Sequence, residues 1–510
     1  MNGYPRDLVS HYRRMLTGAW KILRKSVLFW TGLVIIVVFC LISLVGPFLI
    51  RHPINWRAPE EDLIELDEYW KIDTSASLYG GSGSTNFSVA VRLKPAPLDP
   101  RADRVYFASG RNLIAVSSST GSRAWLNMSR TPSSRTCCFT VDSEISTEPI
   151  AVNFGSITDV TQENQYVVVG TSRGSLYILR EERLGGINEG LSPLPSGDNV
   201  TVLSLDGPVS STVTFSDGWT GFSPEERIFA GTSTGTLYAF SPNGTQLWSR
   251  SLGDRPILMA NLFPTRMQLG SSVCVDDDGN RMFVNDGNLR ALWTENGTDI
   301  WTELPGGEFP MGSSWSSSPY LTSPFQIESG GDIYYTELVY AGSDDGTLYV
   351  LLPDNGTVLF QKYLDDGRLT TPVEGERYIF VGSSSGTVYT LQRDPIGDLP
   401  RGHIRGRFQA EGEPTTPVYR VESRTYFVGD SEGYLYSLTV DGNVSFSVHF
   451  EGRIQGHPLI WGDQYGSGHL HALVFATNSP GMVHATSSIG AYLAPLPPGC
   501  YPSGNCYILG

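Results

Sequence analysis

The feature that most constrains this chain is an eleven-residue pattern that occurs five times. The stretch AGTSTGTLYAF begins at Ala230, and close variants begin at Val169, Ala341, Val381 and Val428. Each copy reads as an apolar run, a glycine, a polar turn with a second glycine, and another apolar run, which predicts two antiparallel strands joined by a tight turn. Repetition at a spacing of roughly 40 to 60 residues indicates a repeat architecture in which each unit buries its apolar face against its neighbours.

One whole unit can be read in residues 227–252. The strand TLYAF is followed by the turn SPNG and a returning strand, and a segment that commonly contains proline precedes most units, where proline suits entry into a strand. Four antiparallel strands per unit predict an all-β fold, a β-propeller of four-stranded blades. Degenerate copies that begin at Val105, Met282 and Leu473 bring the candidates to eight. Because a terminal copy could be half of a blade shared between the chain ends, seven and eight blades both remain open.

The unit resembles the repeat of the pyrroloquinoline-quinone (PQQ) propeller family, which contains quinoprotein dehydrogenases and noncatalytic, BamB-type scaffolds. The resemblance covers about residues 80 to 490. It implies that an aromatic residue closing each unit packs on the next blade. The closing residues are Trp125, Trp248 and Trp301, with Phe360 and Phe446 in two other copies, and the repeat glycines are Gly170, Gly174, Gly231, Gly235, Gly342, Gly346, Gly382, Gly386, Gly429 and Gly433.

The N-terminal part of the chain predicts one membrane anchor. Residues 27–50 carry no charge, and about 20 apolar residues suffice for a transmembrane helix. The run is too long for the apolar core of a signal peptide and no small-residue cleavage pattern follows, which favours a retained anchor. A basic cluster precedes the run and an acidic segment follows it, so the positive-inside rule places the N-terminus in the cytoplasm and the rest outside the plasma membrane.

These observations divide the chain into five predicted parts. A cytoplasmic basic tail is followed by the transmembrane helix, an acidic linker, the propeller, and a C-terminal segment that contains proline and cysteine. Their boundaries are 1–26, 27–50, 51–79, 80–490 and 491–510.

Both ends of the chain also resemble one family of membrane proteins. Residues 16–56 are similar to the first helix of the permeases of dipeptide, oligopeptide and nickel ABC transporters, and the stretch LAPLPPGCYPSGNCYILG at the C-terminus resembles the proline-rich loop that follows in that family. The two resemblances together imply a propeller inserted after the first helix of such a permease, with this chain as its front part. The alternative is a self-standing, single-span membrane protein.

Composition and sequons bear on the surroundings of the propeller. The formal net charge is −16, and the dense basic cluster lies near the N-terminus, which argues against nucleic acid as a partner. Seven sequons follow the anchor and are candidates for glycosylation, although Asn-Gly is also favoured in tight turns for its backbone conformation alone. The sequon asparagines are Asn86, Asn127, Asn199, Asn243, Asn296, Asn355 and Asn443. In an oxidising compartment Cys500 and Cys506 could close a short disulfide loop.

Few residues indicate catalysis. Adjacent Cys137 and Cys138 resemble the vicinal disulfide that covers the quinone in methanol dehydrogenases, but no calcium-binding or basic partners can be placed with them. His469 and His471 would share one face of a strand at a spacing compatible with a metal, yet no third ligand is apparent.

The sequence therefore predicts no catalytic residue, no cofactor and no metal. The expected protein is a noncatalytic binding or scaffold module near the membrane for a protein, peptide or glycan, with ABC permease and ATPase subunits as partners under the insertion reading. The alternative is a membrane-bound PQQ-dependent dehydrogenase with bound calcium.

Overall fold

The structure is a computed structural model, in which the chain forms two units, Met1–Glu65 and Leu66–Gly510. The residues that it describes all belong to the second unit. They are 68–74, 90–92, 104–117, 121–127, 134–154, 164–181, 192–211, 213–216, 226–257, 259–261, 281–310, 317–322, 325–329, 332–395, 399–420, 424–463, 471–478 and 481–487.

Antiparallel sheets of four strands make up the described part of the chain, and we number them along it. The first described strand, β1 (Glu68–Asp73), belongs to the last sheet. Sheet 1 contains β2 (Ala90–Arg92), β3 (Arg104–Ser109), β4 (Asn112–Ser117) and β7 (Cys138–Thr140), and a side hairpin contains β5 (Trp125–Asn127) and β6 (Ser134–Thr136). Sheet 2 contains β8 (Ile150–Phe154), β9 (Asn164–Gly170), β10 (Ser175–Glu181) and β12 (Val200–Ser204), with β11 (Ser192–Pro193) before the last of these. Sheet 3 contains β13 (Thr214–Ser216), β14 (Arg227–Gly231), β15 (Thr236–Phe240) and β16 (Gln246–Ser251).

The later sheets follow the same order. Sheet 4 contains β17 (Met259–Asn261), β18 (Arg281–Asn285), β19 (Leu289–Trp293) and β20 (Glu308–Phe309). Sheet 5 contains β21 (Tyr320–Leu321), β24 (Val339–Gly342), β25 (Thr347–Leu351) and β26 (Val358–Tyr363), and an inserted hairpin contains β22 (Phe325–Ser329) and β23 (Asp332–Thr336). Sheet 6 contains β27 (Val373–Gly375), β28 (Tyr378–Gly382), β29 (Thr387–Gln392) and β30 (Ile404–Gln409). Sheet 7 contains β31 (Val418–Arg420), β32 (Thr425–Gly429), β33 (Tyr434–Thr439) and β34 (Val444–His449), and sheet 8 contains β35 (Leu459–Asp463), β36 (His471–Asn478), β37 (Met482–Ser487) and β1.

Burial explains the apolar pattern of the repeat. Second strands such as β14 and β28 are buried over nearly every residue, whereas fourth strands such as β16 and β34 alternate between exposed and half-buried residues. A short, continuous apolar run is the pattern of a strand covered on both faces. The second strand therefore lies between neighbouring sheets, and the fourth strand faces solvent.

The core consists of apolar layers between consecutive sheets. One cluster joins Phe229 of sheet 3, Phe283 of sheet 4 and Val339 of sheet 5, and another joins Phe380 of sheet 6 to Tyr426 of sheet 7 at a ring-centroid distance of 4.4 Å. The first strands of sheets 6 and 7, and of sheets 7 and 8, also contact each other. Each sheet thus buries its faces on its neighbours, as the blades of a propeller do.

Sheet 8 is completed by β1, the first described strand. β1 pairs antiparallel with β37, from Glu68 opposite Thr486 to Asp73 opposite Met482. Thr74 donates hydrogen bonds to the carbonyl oxygen of Gly481 from its amide at 2.9 Å and from its hydroxyl at 2.8 Å. β1 lies within the 51–79 segment that the sequence assigns to a linker, and the predicted domain boundaries otherwise stay predictions.

Sheet 1 departs from the regular pattern at its fourth strand. The outer edge of β4 is covered by two separate segments, since Ile114 lies opposite Cys138 while Val116 forms a bridge to Arg123. Between them the chain forms the β5–β6 hairpin, to which β11 adds a parallel strand.

Helical structure is scarce in the described residues. It consists of 3₁₀ turns at Gly197–Asn199 and Pro305–Gly307, so the described stretches contain no helix long and apolar enough to span a bilayer. The predicted anchor at 27–50 lies outside the described residues.

Candidate functional site

The first glycine of each repeat lies where neighbouring segments approach its Cα closely. The Gly231 amide donates a 2.6 Å hydrogen bond to the hydroxyl of Ser211, which lies just before the first strand of its sheet. A Cβ at Gly231 would lie 2.5 Å from the Cγ2 atom of Ile257, so the position excludes a side chain by contact. The same donor bond joins Gly170 to Thr147, Gly342 to Ser317, Gly382 to Thr370 and Gly429 to Thr415.

The second glycine of each repeat has a different requirement. Gly346 has a φ of +78°, and a Cβ there would overlap the carbonyl oxygen of Asp365. A positive φ is costly for every residue except glycine. The corresponding residues Gly174, Gly235, Gly386 and Gly433 have φ values of +85°, +84°, +90° and +94°.

The closing tryptophans contact the following sheet. Trp248 donates from Nε1 to the carbonyl oxygen of Thr294 at 3.0 Å, and Trp301 donates to that of Pro353 at 2.7 Å. In sheet 7, Phe446 packs instead on Phe427, with 5.8 Å between the ring centroids. The two tryptophans are therefore hydrogen-bonded to the next repeat, whereas the Phe446–Phe427 contact lies within sheet 7.

Trp125 belongs to a buried polar network between sheets 1 and 2. Its Nε1 donates to Glu181 Oε1 at 2.5 Å, and Tyr106 donates to Oε2 of the same carboxylate at 2.5 Å. Arg104 forms an ion pair with Glu181 at 2.8 Å, with side-chain exposures of 2% and 0%. Burial alone would lower the pKa of Arg104, but the charge of Glu181 raises it above its usual value, so Arg104 stays charged inside the protein.

A tyrosine in the third strand of the repeat, such as Tyr389 in sheet 6, makes a contact that the sequence analysis missed. The Tyr389 hydroxyl donates to Asp365 Oδ2 at 3.0 Å, and Asp365 lies in the connection that leads from sheet 5 to sheet 6. The Asp142 amide donates to the Tyr177 hydroxyl at 3.1 Å between sheets 1 and 2. An acidic residue precedes each of these units, but its separation from the tyrosine varies, from 24 residues for Asp365–Tyr389 to 35 for Asp142–Tyr177, so the repeat pattern gave no signal for this contact.

Hydroxyl donors set the charge state of these aspartates. Burial alone would raise the pKa of Asp365. Hydrogen bonds from Ser383 and Ser385 lower this pKa by more than burial raises it, so the pKa lies below its usual value. Asp142 and Asp206 behave in the same way, with hydroxyl donors from the sheet that follows each of them. Because one arrangement recurs between several sheets, it joins neighbouring repeats and is not a single reactive centre.

Removing this contact should have a moderate effect. Tyr389→Phe deletes the hydroxyl and should lower the free energy of unfolding by about 1 kcal/mol, the usual net value of such a hydrogen bond. Tyr363→Phe is the matched control, because Tyr363 is 56% exposed and bonds Asp366 at the surface. Urea denaturation of both variants measures the difference, and equal losses would contradict a role for Tyr389 between the sheets.

Ionisation of the buried Tyr426 hydroxyl is expected to lower the free energy of unfolding at alkaline pH. Burial, opposed by a hydrogen bond from Thr390, raises the pKa of its hydroxyl to about 12. Because this pKa is higher in the folded than in the unfolded chain, stability is complete below pH 10 or so and falls between about pH 10 and 12. Unfolding free energies measured across this interval should fall less steeply in Tyr426→Phe than in the original protein, and parallel curves would contradict the assignment.

The two adjacent cysteines form a disulfide at the start of the fourth strand of sheet 1. Cys137 and Cys138 are joined and half-buried, and the carbonyl oxygen of Cys137 accepts from the Ala115 amide at 3.4 Å. The disulfide therefore lies on the outermost strand of its sheet, away from the first strands that contact each other.

Most of the candidate metal and disulfide residues near the C-terminus lie outside the described residues. His469, Cys500 and Cys506 lie outside the described residues, and His471 begins β36 without a described side chain. Among the described residues no group of three or more acidic, histidine or cysteine side chains is placed to hold a metal ion. One histidine contact does join distant sheets: His457 Nδ1 lies 3.6 Å from Glu148 Oε1, just before the first strands of sheets 8 and 2.

Several sequons fall at equivalent turns. Asn243, Asn296 and Asn355 are exposed and lie between the third and fourth strands of sheets 3, 4 and 5. The glycines that follow have φ values of +87°, +70° and +69°. The asparagines before them do not have a positive φ. The predicted left-handed backbone of the Asn-Gly turn is therefore found at the glycine and not at the asparagine. Asn199 ends the 3₁₀ turn before β12, and Asn127 ends β5. Asn443 is exposed and lies just before β34, whereas Asn86 lies outside the described residues.

The repeated sheets and their contacts define the class of the described region: an all-β protein whose four-stranded antiparallel sheets pack as propeller blades. Comparison with known proteins gives the same class. Residues 196–395 match a family model described as "Outer membrane protein assembly factor BamB", and residues 15–66 match one described as "N-terminal TM domain of oligopeptide transport permease C". Both resemblances predicted from the sequence are thereby confirmed.

Individual relatives support the propeller part. BamB of Salmonella typhimurium is 29% identical over 162 residues, which are 31% of this chain, so that the chain spans about 35% of that relative. The crystal structure of BamB from Moraxella catarrhalis superposes with a TM-score of 0.50 at 15% identity, over 84% of this chain and 99% of that one. Saccharomyces cerevisiae Sqt1 gives 0.54 at 13% identity, over 80% and 98%. At these identities the two structures show the fold alone.

Proposed function

We propose that this protein is a noncatalytic binding or scaffold protein that is anchored by residues 27–50 and carries an eight-bladed propeller outside the cytoplasm. We further propose that the propeller is an insertion after the first transmembrane helix of a peptide-type ABC permease. The permease-type match over residues 15–66 supports the anchor. The name of the propeller's relatives, assembly factors of outer-membrane proteins, favours a protein or peptide as the ligand over a small molecule.

One observation carries the insertion proposal. Glu68, at the start of β1, lies opposite Thr486, one residue before the end of β37. The described part of the propeller therefore begins and ends at neighbouring positions of sheet 8. A domain whose ends meet in this way can be placed in a loop without separating the segments on either side of it.

The pairing also supports eight blades. The sheets numbered 1 to 8 each have four strands, and sheet 8 obtains its fourth strand from the beginning of the unit. The degenerate copy at Leu473 therefore supplies strands of sheet 8, to which β1 adds the fourth strand. Together with sheets 1 to 7, this favours eight blades.

The polar groups of the propeller support a noncatalytic role. The carboxylates with the clearest hydroxyl partners recur at equivalent positions between sheets, where their partners are structural. The Cys137–Cys138 disulfide lies on an outermost strand, which does not favour the dehydrogenase reading. We expect purified protein supplied with PQQ and calcium to show no dye-linked oxidation of alcohols or sugars, and turnover would overturn this part of the proposal.

The location can be tested by labelling thiols in intact cells. In a chain whose six native cysteines are replaced by serine, Ser384→Cys puts a single thiol on an exposed turn of sheet 6, and Ser10→Cys, which lies before the predicted anchor, is the matched control. A membrane-impermeant maleimide should label the first variant in intact cells and the second after lysis alone. The reverse pattern would overturn the topology.

The permease association needs a separate measurement. The full chain, tagged at its N-terminus and extracted from native membranes, should isolate in a fixed ratio with permease and ATPase subunits. A chain that isolates alone in several mild detergents would overturn the insertion proposal and leave a self-standing anchored propeller.

A further inference from the structure

The three Asn-Gly-Thr turns of sheets 3, 4 and 5 share one geometry. The amide of the threonine donates to the asparagine Oδ1 atom at 3.0 Å in the turn of Asn243, 3.0 Å in that of Asn296 and 2.9 Å in that of Asn355. At Asn296 the Thr298 hydroxyl also donates to Oδ1, at 2.7 Å. The asparagine oxygen is thus held by the turn itself.

This arrangement leaves the asparagine nitrogen available. In the described part of the chain the Nδ2 atoms of Asn243, Asn296 and Asn355 donate no hydrogen bond, and the three residues are exposed together with Thr245, Thr298 and Thr357. An exposed sequon in a surface turn is the usual site of N-glycosylation in exported proteins.

Asn199 and Asn443 lack this combination. Asn199 is half-buried, and the two residues after it belong to β12, paired with β10. Asn127 lies opposite Ser134 in the side hairpin. Asn443 is exposed, but Val444 and Ser445 belong to β34, which is paired with β33.

We infer that Asn243, Asn296 and Asn355 are modified by N-linked glycans, and that these glycans line the edge of the propeller where third strands turn into fourth strands. In the reaction, Nδ2 forms a bond to C1 of a lipid-diphosphate-linked saccharide. The bond from C1 to the phosphate oxygen breaks, the lipid diphosphate leaves, and one amide proton passes to a base of the transferase. The inference rests on the extracytoplasmic location proposed above, because the transferase acts on that side of the membrane.

All three sequons lie on one edge of sheets 3, 4 and 5, and the described residues of the opposite edge contain no glycosylation site. That edge carries the turns between second and third strands, such as residues 232–235 and 343–346, and it contains no sequon in sheets 3, 4 and 5 as described. A protein ligand would therefore meet bare polypeptide at that edge.

The test uses the full chain from membranes of its native host. Mass spectrometry of proteolytic peptides should find glycan on Asn243, Asn296 and Asn355 in most molecules, and each Asn→Gln variant should migrate as if it had lost one glycan. Asn199→Gln is the matched control and should migrate unchanged. Absence of glycan from any one of the three turns in most molecules would overturn the inference.

A second set of variants separates modification from turn structure. Thr245→Ala and Thr357→Ala destroy the sequon but keep the backbone amide that bonds the asparagine, so they should lose glycan without unfolding. If Ser384→Cys is labelled in intact cells while no turn is glycosylated, the inference fails and the proposed location stands. If Ser384→Cys is not labelled in intact cells and no turn is glycosylated, the proposed location fails as well.

Discussion

Replacing Glu181 by alanine is expected to lower the free energy of unfolding by about 3–5 kcal/mol. The substitution leaves the buried Arg104 guanidinium without its carboxylate and removes the acceptor of the Tyr106 hydroxyl and the Trp125 indole. An uncompensated buried charge costs far more than the net gain of an ion pair. Denaturant unfolding followed by tryptophan fluorescence measures the loss.

Glu413→Ala is the matched control. Glu413 pairs with Arg368 at 2.6 Å, but the two side chains are 35% and 52% exposed. Exposed pairs contribute about 0–1 kcal/mol. A loss at Glu181 as small as the loss at Glu413 would show that the network between sheets 1 and 2 is unimportant for stability.

Replacing Gly346 by alanine is expected to cost roughly 3 kcal/mol or more, because a left-handed backbone strains any side chain and the new Cβ overlaps the Asp365 carbonyl oxygen. That oxygen belongs to the backbone of the connection to sheet 6, so it cannot move without displacing the connection. The loss should be measured by chemical denaturation at neutral pH.

Two other glycines separate the contributions. Gly197 has a φ of +59° with no atom within 4 Å of a built Cβ, and Gly253 has open space and no positive φ. Gly197→Ala should therefore cost about 1–2 kcal/mol from backbone strain alone, and Gly253→Ala should be neutral or stabilising by up to about 1 kcal/mol. Equal losses at Gly346 and Gly197 would mean that the connection after sheet 5 yields to the extra atom.

The repeat made the sheets predictable from the sequence, whereas their irregular parts were not. The degenerate copies at Val105, Met282 and Leu473 coincide with β3–β4, β18–β19 and β36–β37, because the buried second and third strands must be apolar even where the glycines are lost. β1 escaped detection because outer strands face solvent and need no apolar run, and its sequence EYWKID lies in an acidic segment.

The candidate site was predictable to a smaller extent. The repeat showed that a tryptophan closes the unit, but the acidic partners of Tyr177 and Tyr389 lie in connections outside the eleven-residue pattern. The split fourth strand of sheet 1 depends on which segment reaches the edge of β4, and no local pattern states this. Asn-Gly indicated a turn, but the hydrogen bond from the threonine amide to the asparagine oxygen required coordinates.

The pairing of β1 with β37 also sets the order in which the protein can fold during synthesis. Thr74 and its partner Gly481 are 407 residues apart, and a ribosome adds about 5–20 residues per second. β1 therefore waits for some 20–80 seconds before its partner strand exists, while the sheets between them can already form. Closing so long a loop is entropically costly and slow. The final step of folding is then the meeting of the two ends, and until it occurs β37 presents an open edge to other chains.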